Sequence, residues 1–426
     1  MRRKEAMLTM KDKMKLTAEV QDRYAKSAKK QKGIILDEFT ATTKYNRNYA
    51  ARILRLKVGK VIGCVRAGGR KIRYVIGKRG KKKRKREKIY GYDVFLALRR
   101  IWTVFDFICG KRLAPFMAEA VKKLEKHKEI DLTEDVREKL LKVSASTIDR
   151  LLKPEKDRYR LGKGRSGTKP GTLLKKQIPV RTFSDWDDAK PGFAEADLVG
   201  HDGGNISGDY AQSLNFTDIA TSWDETAACK NKAQKHVFRA IKEISARFPF
   251  DILGIDSDNG SEFINGIMLR YCIENKITFT RSREYKKNDS CYVEQKNYSI
   301  VRRAVGYLRY DTDEELDVLN ELYLYLGRYN NFFIPVTKLA LKTRTGSKVV
   351  KKYDTAKTPY RRVLESEYIS DKIKEILKRE YGILNPAELK RKITKLQDKL
   401  LKLNALKQTV RKEMMVNEKA YGYIKG

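Results

Sequence analysis

Apolar residues near the start of the chain recur with the 3.6-residue period of amphipathic helices. Residues 1–31 are highly charged and predict an exposed helix. A second apolar face follows and ends at a polar break over residues 40–45. That face comprises Ile35, Leu36 and Phe39. Asn46 can then cap another helix. The positions expected to face inward on this helix are Tyr49, Ala50, Ile53 and Leu54.

Two short helices joined by a tight turn suit a helix-turn-helix within residues 1–60. Arg47, Asn48 and Arg52 fall on the outer face of the second helix, where side chains of this kind contact DNA in the major groove. The same pattern also fits an ordinary helical hairpin. Because the surrounding sequence is strongly basic, we predict a DNA-binding module here.

A second helical module is predicted over residues 91–153. Asp93 is placed to cap its first helix, and Gly110 is placed to end it. The apolar positions of this helix are Val94, Leu98, Ile101, Trp102, Phe105 and Ile108. Their 3.6-residue period favours a core role for the aromatic rings over a stacking platform for nucleotides.

Two shorter helices are predicted in the sequence DLTEDVREKLLKVSASTIDRLLK. Ser144 or Ser146 can start the second of them. Thr147 and Arg150 would then be exposed on that helix. Because this arrangement again resembles a helix-turn-helix, we expect the chain to grip DNA at two places.

Period-two alternation appears between residues 190 and 335. Three strands come first, and the short gaps between them require antiparallel pairing. Two more strands follow, each after a helix. The predicted strands are Phe193–Val199, Asp209–Phe216, Thr217–Trp223, Ile252–Asp256 and Ile277–Arg281. The helices begin near Asn231, Phe263 and Asp289, and the first of them is expected to bury Ala233, Val237, Ile241 and Ile244. This order predicts a ribonuclease-H-like α/β core, a five-stranded mixed sheet flanked by helices.

The chain beyond this core divides into a basic part and a helical part. Residues 336–368 predict a small β-like extension that contacts DNA, and residues 369–426 predict helices. Leucine and isoleucine repeat there at alternating spacings of four and three, which is typical of a short coiled coil. The repeat comprises Leu389, Ile393, Leu396, Leu400 and Leu403. An amphipathic helix that packs back onto the same chain fits the pattern equally well.

Charge identifies the class of partner. The 426 residues carry a formal charge of +40, from 94 basic and 54 acidic side chains. Such an excess along the whole length favours a polyanion, and nucleic acid before a membrane surface. Residues 61–90 and 154–189 are predicted as basic linkers that lie along DNA. The first ends in Lys78–Lys88, with nine basic residues in eleven, which is either a phosphate-binding arm or a nuclear-import signal.

The numbers and spacing of cysteine and histidine argue against several kinds of metal and disulfide site. The five cysteines form no CxxC pair, so free thiols in a reducing compartment are expected. The three histidines are isolated, which argues against zinc-binding modules and against nucleases that need an HxH pair. The chain lacks a long apolar run and a signal-peptide core at its start, so we predict a cytoplasmic protein, associated with the nucleoid if bacterial.

Three carboxylates stand where an α/β fold can bring them together. Asp197 is near the end of the first predicted strand, in FAEADLV, and Asp258 follows the fourth, in DILGIDSDNGSE. Glu294 lies 35 intervening residues after Asp258, on the last predicted helix. Oxygen ligands of this kind select Mg²⁺ or Mn²⁺ over zinc. The pattern therefore suggests a divalent-metal site for phosphodiester chemistry.

Each acid has a neighbour that could replace it. Asp256 shares strand parity with Asp258, although the following Asn-Gly favours Asp258. Asp202 could stand in for Asp197, but it falls in a glycine-rich loop. Glu262 is interpreted as a carboxylate at a helix start, with a supporting role beside the site as the alternative. Asp218 and Asp224 are interpreted as hairpin residues.

These motifs resemble the DDE transposases of the retroviral-integrase superfamily, in particular insertion-sequence transposases with an integrase catalytic core. The resemblance is carried by EADLVGH, FTDIATSWDE, GIDSDNGSEFIN, the stretch ending in CYVEQKN, and VRRAVGYLRY. Together these motifs cover about 130 residues within the predicted core, residues 190–335. Tyr292 departs from the family, which often has histidine before the Val-Glu pair.

The resemblance implies the chemistry and the partners. Asp197, Asp258 and Glu294 would bind two Mg²⁺ or Mn²⁺ ions, with Asp197 bridging them. Water would free a 3′-hydroxyl at the element end, and this hydroxyl would attack target DNA. Lys296, Asn297 and Arg302 could position the DNA ends. A homo-oligomer is expected because two ends must meet.

Two other functions remain open at this point. A nuclease of the same fold would cut without joining, although it has little need of two DNA-binding modules. A DNA-binding regulator would have lost catalysis, although the intact acids argue against that loss.

Overall fold

The computed structural model describes residues 8–56, 61–67, 70–75, 89–158, 190–258, 260–282, 291–345 and 348–424. The chain forms two compact units, Met1–Lys88 and Ile89–Gly426. None of the described helices is long and apolar enough to cross a membrane.

The first unit contains three helices and a hairpin. They are α1 (Met10–Lys26), α2 (Lys29–Thr43), α3 (Arg47–Leu54), β1 (Val61–Ala67) and β2 (Arg70–Val75). Lys44 adopts a left-handed backbone and ends α2, and Asn46 caps α3 by accepting the amide proton of Asn48 at 2.9 Å. The expected pair of helices joined by a tight turn is therefore present.

Three details of this unit differ from the sequence prediction. The polar break is shorter than expected, because α2 continues to Thr43. Tyr49 is exposed on α3, whereas Ala50, Ile53 and Leu54 are buried as predicted. Strands β1 and β2 pair antiparallel inside the segment that was predicted as a linker.

The second unit begins with five helices. They are α4 (Tyr92–Val104), α5 (Gly110–Lys126), α6 (Glu134–Lys142), α7 (Ala145–Leu151) and α8 (Lys153–Arg158). Gly91 precedes α4 as its cap, so Asp93 lies in the first turn and is not the cap residue. Gly110 starts α5 and does not end α4, because a carboxylate oxygen of Asp149 accepts its amide proton at 2.8 Å. Ser144 caps α7, as one of the two predictions stated.

A five-stranded sheet follows these helices. Its strands are β3 (Phe193–Gly200), β4 (Gln212–Asp218), β5 (Asp224–Cys229), β6 (Gly254–Ser257) and β7 (Thr278–Arg281). Their order across the sheet is β5-β4-β3-β6-β7. Strand β4 pairs antiparallel with both β5 and β3, and β6 pairs parallel with both β3 and β7. Three antiparallel strands extended by two parallel ones form the ribonuclease-H-like core that the sequence predicted.

The predicted second strand overlaps β4 with shifted bounds, whereas the predicted position of the third strand was wrong. Residues 217–223 end β4 and form the turn before β5, which starts only at Asp224. Asp218 holds this turn, since its carboxylate accepts the amide protons of Gly192 and Thr221 at 2.8 and 2.7 Å. The interpretation of Asp218 as a hairpin residue is therefore confirmed.

Helices surround the sheet in the expected order. They are α9 (Gln234–Ser245), α10 (Gly266–Glu274), α11 (Cys291–Lys296), a π-helical stretch (Asn297–Arg302), α12 (Arg303–Val305) and α13 (Asp313–Phe333). Val237, Ile241 and Ile244 of α9 are buried, whereas Ala233 is the exposed residue before the helix. Helix α13 was not predicted from the sequence.

Helix α13 covers the free edge of β5 with two asparagine side chains. The Asn331 amide accepts the Asp224 N–H and donates to the Asp224 carbonyl, both at 2.9 Å. Asn320 makes the same pair of bonds with Ala228, at 2.8 and 3.2 Å. Because these amides occupy the hydrogen-bonding groups of an edge strand, they block the addition of a further strand.

The remaining elements follow α13. They are β8 (Leu339–Thr345), β9 (Lys348–Tyr353), α14 (Pro359–Glu365), α15 (Asp371–Ile383) and α16 (Pro386–Ile424). Strands β8 and β9 form the small hairpin that the basic extension predicted. Leu389, Ile393, Leu396 and Leu400 are buried, and α16 packs against α13. The described seam packs onto the same chain, as one of the two interpretations predicted, and the coiled coil stays a prediction.

Helices α4 to α7 share one hydrophobic core with the sheet. Arg303 forms an ion pair with Asp106 at 2.9 Å, and Arg112 donates to the Pro335 carbonyl at 2.5 Å. The predicted module at residues 91–153 is thus packed on the core and is not a separate compact unit.

Candidate active site on the central sheet

Two rows of polar side chains cross one face of the sheet from strand to strand. The inner row is Asp224, Thr217, Glu195, Asp256 and Thr280; the outer row is Thr226, Asn215, Asp197 and, one residue beyond β6, Asp258. Strand partners in register carry their side chains on the same face, which is why each row is continuous. The whole inner row is buried, whereas Asp197 and Asp258 are half exposed. The outer row therefore opens to solvent at its two carboxylates.

Hydrogen bonds hold Asp197 on both sides of its carboxylate. Its Oδ1 accepts the backbone N–H of Leu198 at 2.8 Å. Its Oδ2 accepts the side-chain amide of Asn297 at 2.6 Å. Each carboxylate oxygen has a second lone pair, so these bonds orient the group without exhausting its capacity to bind a cation.

Asp258 lies where the adjacent parallel strand ends. Its Oδ1 accepts the N–H of Gly260 at 2.9 Å. Burial raises the pKa of the Asp258 carboxyl, against the lowering effects of that hydrogen bond and of Lys232. A divalent cation would offset the cost of an ionised carboxylate in this place.

Glu262 is close to Asp258, with Gly260 between them. A Cβ at Gly260 would lie 2.9 Å from Asp258 Oδ1 and 2.6 Å from Glu262 Cδ. Burial, and after it the charge of Asp258, raises the pKa of Glu262. Helix α10 starts at Gly266 with Asn265 as its cap, so the interpretation of Glu262 as a helix-start carboxylate is wrong. Its position beside Asp258 supports the alternative.

The helix that carries Glu294 runs along β3 in the same direction as the strand. The Val293 N–H donates to Glu195 at 3.0 Å, and Asn297 donates to Asp197. Further along, Arg302 donates to the Gly200 carbonyl at 2.8 Å. Glu294 belongs to α11, but its side chain lies outside the described residues. The backbone nevertheless places it one residue after a contact to β3, over the face that carries the two rows.

A π-helical stretch begins at Asn297. The wider turn changes the rotation of the residues that follow, and such turns are frequent at functional sites. The π-helical stretch starts at Asn297, the residue that donates a hydrogen bond to Asp197.

The inner row lies buried below the outer row and makes hydrogen bonds of its own. Thr280 donates to Asp256 at 2.6 Å, and Thr217 donates to Asp224 at 2.5 Å. Asp256 belongs to the buried inner row, and its carboxylate accepts the hydrogen bond from Thr280, whereas Asp258 belongs to the outer row. This arrangement favours Asp258 over Asp256 as the residue that meets a ligand.

Lys296 supplies positive charge to the inner row. Its ammonium donates to the Ser222 carbonyl at 3.2 Å. Burial lowers the pKa of Lys296, and Asp224 raises it. In turn, burial raises the pKa of Asp224 to about 6, against the effect of Lys296. Lys296 is thus engaged inside the fold, a position different from the DNA contact that the sequence suggested.

The other predicted DNA contacts are distributed between the two units. Arg47, Asn48 and Arg52 are exposed on α3, where Arg47 forms an ion pair with Asp37 and Arg52 lies over the Tyr49 ring. On α7, Arg150 is exposed and donates to the Thr147 hydroxyl at 3.3 Å.

Arg302 differs from these residues because it is half buried. It bonds to backbone carbonyls at both Gly200 and Gly306. It therefore fastens the helix end to β3.

The donor set suits a hard divalent cation. One carboxylate within β3 and one just beyond β6 match the oxygen ligands that Mg²⁺ takes in proteins. Among the described side chains, no group of three Asp, Glu, His or Cys residues could hold a metal ion. The described side chains leave such a site incomplete, and the side chain of Glu294 lies outside them.

Two members of the outer row were missed at the sequence level. Asn215 and Thr226 are uncharged residues inside strands, and the second lies in a strand whose position was predicted wrongly. The available signal was alternation: Asn215 and Thr217 share a face of β4, as do Asp224 and Thr226 of β5.

Comparison with known proteins gives one relative of comparable length. No family model matches the chain. The uncharacterized protein y4rM of Sinorhizobium fredii (strain NBRC 101917 / NGR234) is 38% identical over 355 residues, which span 83% of this chain and 96% of that protein.

Solved structures of integrase cores are also similar. The HTLV-2 integrase catalytic core domain, in complex with magnesium in its dimeric form, is 14% identical with a TM-score of 0.27, over 35% of this chain and 93% of that one. The BIV integrase catalytic core domain is 18% identical with a TM-score of 0.29, over 42% and 96%. At these scores the fold assignment rests on the strand order and register described above.

Proposed function

We propose that this chain, which belongs to the family of the uncharacterized protein y4rM of Sinorhizobium fredii, acts as a DNA transposase with a DDE carboxylate triad. The observation that carries the proposal is the pairing of Asp197 and Asp258 at the open end of the outer row. The helix that contains Glu294 crosses the same face. Carboxylates on adjacent strands and an overlying helix provide a site for oxygen-binding cations.

Asp197, Asp258 and Glu294 would hold two Mg²⁺ or Mn²⁺ ions. Bound ions would supply activation of the attacking oxygen and stabilisation of the leaving oxygen in an in-line displacement. The hydrogen bonds to Asp197 hold its carboxylate in one orientation, so that less reorganisation is needed when substrate binds.

Water would first attack the phosphodiester at the element end and free a 3′-hydroxyl. That hydroxyl would then attack a phosphodiester of target DNA at the same site, without a covalent protein–DNA intermediate. A new bond would form between the element 3′-oxygen and the target phosphorus, and the broken target bond would release a target 3′-hydroxyl. The exposed Arg47, Asn48 and Arg52 of α3, with Thr147 and Arg150 of α7, are proposed to hold the DNA. Two copies of the chain are proposed to bring two element ends together.

The decisive experiment combines purified protein, Mg²⁺, labelled element-end DNA and a target plasmid. We expect joined products with the wild-type chain and none with Asp258→Asn, because an amide is a far weaker cation ligand than a carboxylate. Asp251→Asn is the matched control, since this acid lies in the exposed segment before β6.

Cutting without joining would replace the proposal with a nuclease of the same fold. Binding without either reaction would replace it with a DNA-binding regulator.

A further inference from the structure

The outer row is joined by a continuous chain of side-chain hydrogen bonds. The Thr226 hydroxyl donates to Asn215 Oδ1 at 3.2 Å. Asn215 Nδ2 donates to Asn297 Oδ1 at 3.1 Å. Asn297 Nδ2 then donates to Asp197 Oδ2 at 2.6 Å. The chain starts on β5, crosses β4, passes to the π-helical stretch and ends on a carboxylate of β3.

The carboxylate sets the direction of every bond in this chain. Ionised Asp197 can only accept, so Asn297 must turn its NH₂ group toward it. The carbonyl oxygen of Asn297 is then left to accept from the NH₂ group of Asn215. The oxygen of Asn215 is left in turn for the Thr226 hydroxyl. A flip of either amide would place two acceptors against each other in a buried space.

Burial makes that direction costly to reverse. Asn215 is 0% exposed and Thr226 is 3% exposed, so water cannot replace a lost partner easily. Hydrogen bonds in one direction along a buried chain also polarise one another.

We propose that Asn215 and Thr226 are positioning residues that fix Asn297, and through it the Asp197 carboxylate, for cation binding. The inference rests on the proposed function in assigning a cation to Asp197, and it adds two residues that touch neither cation nor DNA. Asn215 is two hydrogen bonds behind Asp197 and Thr226 is three. Hydrogen-bond partners that stand behind metal ligands commonly alter metal affinity about 10- to 100-fold when they are changed.

The inner row provides a control with the same local chemistry. Thr217 is 1% exposed and donates to the buried Asp224, on the strand pair that carries Asn215 and Thr226. Its hydroxyl has no bond to Asn297 or Asp197. Thr217→Val therefore removes a buried threonine hydrogen bond from the same region but leaves the chain to Asp197 intact.

The test measures Mn²⁺ binding to the full chain by calorimetry, without DNA. We expect Asn215→Leu to weaken Mn²⁺ binding about 10- to 100-fold, because leucine is similar in size to asparagine but cannot donate to Asn297 and adds no charge. Thr226→Val should weaken it in the same direction but less, and Thr226→Ser, which keeps the hydroxyl, should restore wild-type affinity. Thr217→Val should lower the thermal midpoint and leave Mn²⁺ affinity unchanged. If Asn215→Leu does not fold, the comparison of Thr226→Val with Thr226→Ser tests the role of the chain of hydrogen bonds.

Two results would overturn the inference. One is equal Mn²⁺ affinity in wild type and Thr226→Val. A wild-type chain that does not bind Mn²⁺ would overturn the inference in the same way. The other is a loss of affinity in Thr217→Val as large as that in Thr226→Val, which would indicate general loosening of the sheet. Since no DNA is present, a protein that shows the expected affinities but joins no DNA would fail the proposed function alone.

Discussion

At the scale of single residues, the two half-exposed acids are held by different means. Asp197 is held from both sides by hydrogen bonds, from its own strand and from the overlying helix. Asp258 is held by one backbone N–H in the loop after β6, with Glu262 close by. Because Gly260 has no side chain, Glu262 can lie beside Asp258.

Replacement of Gly260 by alanine tests this close approach. The new methyl group would lie within 3 Å of both the Asp258 and the Glu262 carboxyl groups, so one of them must move. We expect Mg²⁺-dependent cleavage to fall about 10-fold, a size typical of disturbed support around a metal site. The thermal midpoint should change little, because the atoms displaced are the ends of side chains. Cleavage assays over a range of Mg²⁺ concentrations measure the effect.

Gly266→Ala is the matched control for this change. A methyl group there meets nothing within 4 Å, and the residue starts α10, where alanine is well accepted. Full activity in Gly260→Ala, or an equal loss in Gly266→Ala, would show that the space around Gly260 is not important for the site.

At the scale of elements, the C-terminal helix is part of the folded unit. The apolar seam of α16 packs against α13, and polar groups continue the contact beyond the seam. The Lys407 ammonium bonds to Asp311 at 2.9 Å and to Glu315 at 2.7 Å. The hydrogen bonds that Asp311 accepts from Arg309, Lys407 and Arg411 outweigh its burial and lower its pKa to about 2. The ion pairs therefore hold the helix at ordinary pH.

Two neighbouring leucines test the packing of α16. Leu400 is 1% exposed and Leu401 is 53% exposed. Leu400→Ala should lower the free energy of unfolding by about 2–5 kcal/mol, because it leaves a cavity in the core. Leu401→Ala should change it by less than about 0.5 kcal/mol. Urea unfolding followed by circular dichroism compares the two variants.

The coiled-coil alternative predicts a different result. If the seam joined two chains, Leu400→Ala would make the unfolding midpoint depend on protein concentration and would shift the oligomeric state in sedimentation. Unchanged sedimentation with lower stability supports packing within one chain.

At the scale of the whole molecule, charge dominates. A formal charge of +40 is spread over both compact units. Counterions released from DNA would therefore supply most of the affinity for arbitrary sequences.

Salt should accordingly weaken binding steeply. Between about 50 and 200 mM salt, affinity for a DNA duplex of unrelated sequence should fall roughly 10³-fold or more, as expected when six or more phosphates are neutralised. Fluorescence anisotropy measures this, with the thermal midpoint at each salt concentration as the control for folding. A flat salt profile would mean that the basic residues serve another purpose.

Much of the fold could be predicted from local patterns. The strands of the core, the helices between them and the capped helices at Asn46 and Ser144 all follow from periodicity and end signals. Errors arose where neighbouring signals compete. Residues 217–223 are rich in β-forming side chains, yet Asp218 folds them into a turn through bonds to Gly192 and Thr221. Gly110 has the chemistry of a helix end, but a distant carboxylate makes it a helix start.

The sequence by itself determined which residues carry charge, which strands can form and where the acids of a cation site would stand. Asp197, Asp258 and Glu294 follow from motif and spacing, and their role remains a prediction. Only the tertiary structure decided what surrounds them, because register and the placement of α11 bring together residues far apart in the chain. Asn215 meets Asn297 and the α16 seam meets α13 through such long-range packing. No local pattern encodes these contacts, since each depends on how separate elements are arranged in space.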